Sequence, residues 1–386
     1  MTTGPFSFDT PNTPPTAKDD DLSFLRLIRS RRVGPATFHR LIAEHGSATA
    51  ALAALPEIAR AAGLEDYTPC PTEAAEAELR AGRRLGARLL RCDHLDYPPA
   101  LRQIGDAPPV LWVRGELRWL QGDPFAVIGA RNASSLGLRM ARGMAAGLGE
   151  AGHCVIAGLA RGIDTAAHNA ALPTGTVAVM AGGIDQIYPA ENAILAAQIA
   201  EKGALVSEQA PGVEPAARHF PARNRIISGL SRAVVVIEAA HRSGSLITAK
   251  NALDQGREVM AVPGHPMDAR AAGCNALIRD GAALVRCAAD VIAVSFGSEA
   301  ERRARPAPQD AKPVTPRPAL PNRACDSGGP AGLEARIMNW LSPSPSDEDD
   351  LIRRLGVPAS VANSAILSLE LQGMLTRLAG GRLARN

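Results

Sequence analysis

Short apolar segments alternate with helical segments between residues 123 and 297, and this alternation limits the fold more than any other feature of the chain. The apolar segments are rich in β-branched residues and nearly free of charge, which is typical of strands buried on both faces of a parallel sheet. They are FAVIGAR, HCVIAG, TVAVMAGG, ALVSE, AVVVIEA, EVMAVPG and ALVR. The pattern predicts a three-layer α/β domain with a parallel sheet in the middle.

Most of these strands end in a glycine or a small polar residue, and arginines follow two of them. In open α/β sheets, ligands bind beyond the carboxyl ends of the strands. The residues at those ends are Gly129, Arg131, Gly158, Arg161, Gly182, Gly183, Glu238 and Gly264. Arg131 and Arg161 each lie beside the N-terminus of a predicted helix, and Ser134 is a predicted cap. A single arginine of this kind is usually a solvated charge, but several on one edge favour an anion site.

The segment from 218 to 249 has the strongest phosphate-binding character in the chain. We predict a basic turn, then a buried strand, then a glycine-serine loop that begins a helix. Guanidinium groups pair bidentately with phosphate oxygens, an aromatic ring stacks on a base, and backbone amides at a helix N-terminus bind anions. The residues with these groups are Arg218, Phe220, Arg223, Asn224, Arg225, Arg232, Ser243, Gly244 and Ser245. The alternative is that the arginines form an exposed, salt-bridged turn and the serines merely cap a helix.

Several common functions are not indicated by the motifs. The first predicted strand runs into GARNASSLG instead of GxGxxG, and the sequence has no GxxxxGK[ST], so neither a dinucleotide turn nor a P-loop is predicted. Asp164 and His168 are spaced for one helix face, and Glu238 ends a strand, but no nucleophile accompanies them in a recognised arrangement. We interpret Asp164 and Glu238 as carboxylates that orient arginines and not as catalytic groups.

The charge and cysteine content narrow the remaining possibilities. The net charge of +3 is only mildly basic, so a nucleic-acid surface would be a local patch. The six cysteines show no CxxC or CxxH spacing, so we expect reduced thiols in a cytoplasmic protein, with no metal site and no cofactor. Neither a secretion signal nor an apolar run of membrane-spanning length is apparent.

The composition predicts separate regions around the α/β domain. These are a disordered tail (1–21), a helical domain (22–95), the sheet domain (96–297, with VLWVRG as a possible added strand), a proline-rich linker (298–332) and a winged helix (333–386). Gly34-Pro35 interrupts the helical pattern in the form of a helix-hairpin-helix, which either contacts DNA or serves as a packing unit, and the pattern continues to about Arg91. Winged helices bind DNA or proteins, and the acidic run at 347–350 slightly favours a protein partner.

The motifs of the sheet domain resemble those of the DNA-processing protein A family, also called Smf. They are DYPPALRQIGDAPPVLWVRG, AVIGARNASSLG, VIAGLARGIDTAAH, AVMAGGIDQIYPAEN, LVSEQAPG, HFPARNRIISGLS, EAAHRSGSLITAKNAL, GREVMAVPG and GCNALIRDGA. They cover about 96 to 286 in family order, whereas the flanking domains match in architecture. The resemblance implies an extended Rossmann-like homodimer that binds single-stranded DNA without sequence preference and loads the recombinase RecA onto it during natural transformation.

Matched motif by motif, the resemblance implies a DNA pocket that overlaps the site inferred from the residues. Its members are Arg131, Arg161, Phe220, Arg223, Arg225, Ser243, Gly244, Ser245 and Lys250. The terminal GGRLAR departs from the family because it lacks the aromatic often found there, which weakens the case for base stacking by this wing. We expect a non-catalytic mediator. The alternative is a hydrolase acting on nucleoside monophosphates, but related hydrolases use PGGxGT where this chain has SGSLIT.

The apolar segment 274–285 is the candidate dimer interface. Leu277, Ile278 and Leu284 are its candidate contact residues, although the same residues could be part of the core.

Overall fold

The computed structural model describes residues 20–297, 330–341, 346–372, 374–378 and 382–385. The chain forms two compact units, which divide between Ala307 and Pro308. The predicted tail and the predicted linker lie almost entirely outside the described residues. At their inner ends, Asp20 caps helix α1 (Asp21–Arg29), and Pro330 begins a helix of the second unit.

Four helices form the first part of the larger unit. They are α1, α2 (Pro35–His45), α3 (Ala48–Ala61) and α4 (Thr72–Arg84). Pro35 occupies the first position of α2, where a backbone N–H would have no partner within the helix. The turn at Gly34 joins two helices, as predicted. Phe24 and Phe38 pack together in the core of this region, with ring centroids 5.2 Å apart.

The helical pattern does not continue to Arg91, so that prediction is wrong. Helix α4 ends at Arg84, and strand β1 (Arg88–Arg91) pairs antiparallel with β2 (Val110–Gly115). The four residues RLLR are too few to show a helical or a strand-like spacing of apolar residues. The strand that pairs with their backbone N–H and C=O groups lies at residues 110–113, outside any short sequence window. Strand β2 confirms the added strand that VLWVRG predicted.

All seven strands predicted between 123 and 297 are confirmed. They are β3 (Phe125–Ile128), β4 (Val155–Ala157), β5 (Thr176–Val179), β6 (Ala204–Ser207), β7 (Ala233–Val236), β8 (Glu258–Ala261) and β9 (Ala283–Leu284). With β1 and β2 they form a nine-stranded sheet in the order β1-β2-β6-β5-β4-β3-β7-β8-β9. Neighbours from β6 to β9 are parallel, and β2 pairs antiparallel with β6. The order reverses at the β3–β7 pair.

Helices surround this sheet on both faces. They are α5 (Pro99–Arg102), α6 (Ser135–Glu150), α7 (Ile163–Ala171), α8 (Ala193–Lys202), α9 (His219–Leu230), α10 (Ser245–Asp254), α11 (Ala272–Arg279) and α12 (Ala288–Phe296). Phe125 and Val127 of β3 belong to the apolar cluster that α6, α7 and α12 complete, whereas Ala126 and Ile128 belong to the cluster of α9 and α10. Because both faces of the strands are buried, the polar groups collect in the loops at the strand ends.

The basic segment at 218–225 is not the turn that we predicted. Arg218 precedes α9, and the following residues form the helix. Pro221 lies in its first turn, where a missing N–H removes no helical hydrogen bond. Residues two positions apart on a helix project about 200° apart, so Arg223 and Arg225 face different surroundings.

The second unit is a small helical domain with a short sheet. It contains α13 (Pro330–Trp340), β10 (Ser346–Asp347), α14 (Glu348–Leu355), α15 (Ala359–Leu371), β11 (Leu375–Leu378) and β12 (Arg382–Arg385). The strands pair in the order β10-β12-β11, and Ile337, Ile366 and Leu383 are fully buried between helices and sheet. The predicted winged helix, with three helices and a strand hairpin, is confirmed.

The described residues contain no helix long and apolar enough to cross a membrane. Within the same residues, no group of three or more histidine, cysteine or acidic side chains is arranged to hold a metal ion. Five described cysteines are free thiols. Burial raises the pKa of Cys92 and Cys154 to about 12 and that of Cys274 to about 11, so these thiols are protonated at neutral pH.

Candidate nucleic-acid interface

A pocket of about 300 Å³ opens beyond the carboxyl ends of β3, β4 and β5. Its walls come from the loops after these three strands and from the first turns of α9. The lining residues are Arg131, Asn132, Gly158, Ala160, Arg161, Tyr188, Pro189, Phe220 and Arg223. Four of them, Arg131, Arg161, Phe220 and Arg223, were predicted site residues, and the structure brings all four together.

Arg223 forms the floor of this pocket and is 6% exposed. Its Nη1 donates hydrogen bonds to the carbonyl oxygens of Gly158, at 2.5 Å, and of Val179, at 2.7 Å. The side chain therefore joins the ends of β4 and β5. Burial lowers the pKa of Arg223 to about 10, although the charge of Asp164 opposes this, so the guanidinium stays protonated at neutral pH.

Asp164 binds the backbone of the same loop. Its Oδ2 accepts hydrogen bonds from the backbone N–H of Gly158, at 2.9 Å, and of Ala160, at 3.4 Å. Burial raises the pKa of this carboxyl, and the positive charge of Arg223 opposes the rise. Asp164 thus fixes the loop that holds Arg223, which agrees with its interpretation as an orienting carboxylate.

His168 is fully buried beneath this loop and is held in one tautomer. Thr176 Oγ1 donates to the carbonyl of Val155, so it accepts from His168 Nδ1 at 2.7 Å, and His168 Nε2 accepts from the backbone N–H of Leu159 at 3.3 Å. Burial, together with the smaller effect of the Arg223 charge, lowers the pKa of His168 to about 3. The imidazole is therefore neutral, and both of its nitrogens are used in positioning the backbone.

The mouth of the pocket combines two arginines with two aromatic rings. The Arg131 guanidinium lies 5.1 Å from the centroid of the Phe220 ring, and the Tyr188 ring meets Phe220 edge-on at 5.7 Å. Arg161 pairs with Glu191 at 2.8 Å, and both side chains are more than half exposed. An exposed pair of this kind contributes little stability and is readily exchanged for another anion. The exposed Tyr188 ring was missed by sequence reasoning, although it stands inside the motif AVMAGGIDQIYPAEN.

The N-terminus of α6 is filled by a carboxylate of the protein. Ser134 caps the helix by accepting from the N–H of Gly137 at 2.9 Å, and its hydroxyl donates to Glu238 Oε2 at 2.7 Å. Glu238 also accepts from the Ser134 N–H and lies 3.6 Å from Arg270. A β-carbon at position 137 would lie 2.0 Å from Glu238 Oε2, so a larger residue there would displace this carboxylate from the cap. The cap predicted at Ser134 is present, but Ser134 does not line the pocket.

Arg225 and Arg232 are engaged elsewhere. Arg225 Nη2 donates to both carboxylate oxygens of Glu208, at 2.6 and 2.7 Å, and its Nε lies 3.4 Å from Asp106. Arg232 precedes β7 at the opposite edge of the sheet, where it pairs with Asp123 at 3.1 Å. The predicted convergence of Arg218, Arg223, Arg225 and Arg232 on one phosphate chain is therefore not what the structure shows. Arg218 is exposed just before α9.

The glycine-serine loop borders a second, more open groove beside α10. Its lining includes His241, Arg242, Ser243, Gly244, Leu246, Ile247, Lys250, Asn251 and Asp254. Asn224 Nδ2 donates to the Gly244 carbonyl at 3.5 Å, which ties α9 to this loop, and the Ser243 and Ser245 hydroxyls lie 2.6 Å apart. Of the remaining predicted residues, Ser243, Gly244 and Lys250 thus border this groove and not the pocket.

The predicted dimer residues differ in exposure. Leu277 and Ile278 are partly buried and pack against the core of the sheet domain. Leu284 lies on the edge strand β9 and is 48% exposed. Of the three, Leu284 has the most surface free for a partner, and the interface itself stays a prediction.

Fold and site together define a Rossmann-like protein whose carboxyl edge carries a pocket with an arginine at its floor and aromatic rings at its mouth. Comparison with known families agrees with each part of this architecture. The model of DNA recombination-mediator protein A matches residues 88–295, that of the DprA-like N-terminal HHH domain matches 18–81, and that of the DprA winged helix domain matches 305–381. The chain belongs to the DNA recombination-mediator protein A family, also called DprA or Smf, as its motifs indicated.

Individual relatives resemble the chain over most of its length. Protein Smf of Escherichia coli is 37% identical over 319 residues, which cover 81% of each chain. The X-ray structure of DNA processing protein A from Streptococcus pneumoniae is 35% identical, with a TM-score of 0.62, and covers 72% of this chain and 98% of that one. A solved structure of DNA processing protein A from Helicobacter pylori, described for its single-stranded DNA binding mode, is 27% identical, with a TM-score of 0.50, and covers 54% of this chain and 94% of that one.

Proposed function

We propose that this protein binds single-stranded DNA as a non-catalytic recombination mediator, with the pocket at the ends of β3, β4 and β5 as its main DNA site. The observation that carries the proposal is the grouping of Arg223, Arg131 and Arg161 around one cavity with the Phe220 ring at its mouth. Three guanidiniums suit the phosphates of a flexible backbone, and a ring at the mouth suits an unpaired base.

The shape of the pocket favours a single strand over a duplex. A cavity of about 300 Å³ has room for one nucleotide but not for a double helix. In a duplex the bases are stacked inside, whereas a single strand presents base faces to Phe220 and Tyr188. The site has no built-in reading of one base over another, because its aromatic and guanidinium groups contact features that every nucleotide shares.

The relatives and the family description support the wider role. Membership in a family of recombination mediators, together with the single-stranded DNA binding described for the Helicobacter pylori protein, supports protection of incoming DNA and loading of RecA during natural transformation. We further propose a cytoplasmic homodimer that uses the surface around Leu284. The open groove at Ser243, Gly244 and Lys250 offers a continuation of the DNA path, because Lys250 is exposed there.

A hydrolase that acts on nucleoside monophosphates is the weaker candidate. Among the described residues that line the pocket, none is a carboxylate or a thiol. Three nearby acids are engaged: Asp164 in the loop beneath Gly158, Glu238 at the cap of α6, and Glu191 in its pair with Arg161. Such groups are poorly placed to activate water at a bound sugar.

Filter binding with single- and double-stranded oligonucleotides at several salt concentrations tests the proposal. We expect tighter binding of the single strand and a log-log salt slope of about −0.7 for each phosphate contact. Arg131→Ala and Arg161→Ala should each weaken binding and make the slope shallower by about one contact. The matched control is Arg118→Ala, because this exposed arginine lies at the opposite edge of the sheet, just after the end of β2 that pairs with Ala204. Equal affinity for duplex and single strand, or a flat salt response, contradicts the proposal.

A further inference from the structure

The pocket depends on more of the chain than the residues that line it. We propose that the N-terminal helical domain positions α9, and with it the DNA pocket, through an ion-pair network centred on Glu208. Because this inference concerns the site assigned above, it rests on the proposed DNA binding. It adds that Arg225, Glu208 and Arg29 are positioning residues, which act on DNA without touching it.

One half of the network holds α9. Glu208 follows strand β6, and its carboxylate accepts two short hydrogen bonds from Arg225 Nη2. Both side chains are nearly buried, with 13% and 12% exposed. Asp106, from the connector before β2, adds a third contact to Arg225 at 3.4 Å. Arg225 is therefore held by two segments outside its own helix.

The other half reaches into the N-terminal helices. Arg29 of α1 donates from Nη2 to the backbone carbonyl of Glu208 at 3.1 Å and to Glu78 Oε1 at 2.8 Å. Glu78 of α4 is fixed in turn by the Trp112 indole N–H of β2, at 2.9 Å. Helices α1 and α4 and strand β2 thus reach Glu208 through Arg29, and the side chain of Glu208 is bonded to α9.

The geometry of α9 links this network to the pocket. Phe220 and Arg223 project from α9 into the pocket, whereas Arg225 projects to Glu208. A helix turns as a rigid body, so the Glu208–Arg225 pair sets the rotation of the face that carries the pocket residues. Removing one member of a buried pair leaves the other charge uncompensated, and the helix is then expected to shift to bring that charge to water.

Two roles for Glu208, positioning α9 or acting only through its charge, predict opposite changes in DNA affinity for the substitution Glu208→Gln. Removing a negative charge near a DNA site strengthens binding if the charge acts only through the local field. If Glu208 positions α9, the same change weakens binding of a single-stranded oligonucleotide, and we expect a loss of roughly twofold to thirtyfold. Arg29→Ala should weaken binding in the same direction, and neither variant should change the salt slope, since no phosphate contact is lost. Binding by Glu208→Gln that equals or exceeds that of the unchanged protein overturns the proposal.

Matched variants keep the test decisive. Glu44→Gln removes the same charge from an exposed pair on α2, and its affinity should stay unchanged. Asp106→Asn is a milder change at a half-exposed partner of Arg225, and should weaken binding slightly even if Glu208→Gln fails to fold. If Asp106→Asn and Arg29→Ala are folded and bind normally, the positioning role is wrong. If the unchanged protein does not bind single-stranded oligonucleotides at all, it is the proposed function that fails.

Discussion

Replacing Gly158 by alanine is the sharpest single perturbation of the pocket. A β-carbon at this position would lie 1.8 Å from Arg223 Nη1 and 2.3 Å from the central guanidinium carbon. The backbone of Gly158 itself is not in the left-handed region, so an alanine fits the main chain and the whole conflict falls on Arg223. The expected result is a guanidinium displaced from the pocket floor in an otherwise intact sheet.

The magnitude follows from the bonds that Arg223 must give up. It loses hydrogen bonds to the carbonyls of Gly158 and Val179, and a hydrogen bond from a charged group contributes about 1.5–3 kcal/mol. The displaced group regains water at the pocket mouth, so we expect the free energy of unfolding to fall by about 2–3 kcal/mol instead of the full sum. At an unfolding entropy of about 2.1 cal/mol/K per residue, the described residues 20–297 of the larger unit give a Tm lower by roughly 3–5 °C. Loss of one charged contact to DNA weakens binding by roughly tenfold to a hundredfold.

Urea unfolding and single-stranded oligonucleotide binding on the same preparations provide the assay. Gly143→Ala is the matched control, because this glycine lies in helix α6 with open space around it. That variant should gain up to about 1 kcal/mol in stability and bind DNA normally. If Gly158→Ala keeps both the stability and the DNA affinity of the unchanged protein, Arg223 does not form a DNA-binding floor and the reasoning is refuted.

Four further results are expected. Phe220→Ala should weaken single-strand binding by about 1–3 kcal/mol with an unchanged salt slope, because stacking is insensitive to ions; a shallower slope would contradict this. His168 has a pKa of about 3 in the folded protein and 6.5 in the unfolded chain, so between these pH values the unfolded chain binds more protons. The free energy of unfolding should therefore fall by about 1.4 kcal/mol for each pH unit below 6.5. Urea unfolding from pH 7 to 5 should show this fall in the unchanged protein and its loss in His168→Gln. Removal of residues 299–386 should leave single-strand binding largely intact, since the winged helix is a separate unit; a large loss would move the DNA site there. Light scattering should show a dimer that Leu284→Glu weakens, and a monomer at micromolar concentration would rule out the interface.

The strands could be predicted because burial on both faces leaves a local trace in the sequence. Runs such as FAVI and AVVV need to be apolar at every position, so a short window is enough to recognise them. Strand β1 could not be recognised, since RLLR is stabilised by pairing with residues 19 to 25 positions further along the chain and not by its own pattern. Helix α9 was hidden because its polar residues and Pro221 are typical of a turn when its packing partners are unknown.

The site could be predicted at the level of the sheet edge but not of individual arginines. Arg223 and Arg225 stand in the same motif, and their fates differ because Glu208 and Asp106 approach one side of α9 and Gly158 the other. Those partners are distant in sequence, so no short sequence window around the two arginines contains the residues that separate their roles. Tyr188 was missed for a related reason, since a lone aromatic in a loop becomes informative when a second ring, that of Phe220, is found beside it.

The carboxylate of Glu238 at the start of α6 has a consequence for selectivity among small molecules. In doubly wound folds, the crevice where the strand order reverses normally receives the pyrophosphate of a dinucleotide at a helix N-terminus. Here that crevice lies between β3 and β7, and the carboxylate of Glu238, a residue that is 7% exposed, already accepts from the backbone N–H and the hydroxyl of Ser134, the N-cap of α6. An incoming phosphate would have to displace a like charge into water. The carboxylate therefore disfavours dinucleotides and triphosphates in this crevice, and under the proposed function the neighbouring pocket is left for single-stranded DNA.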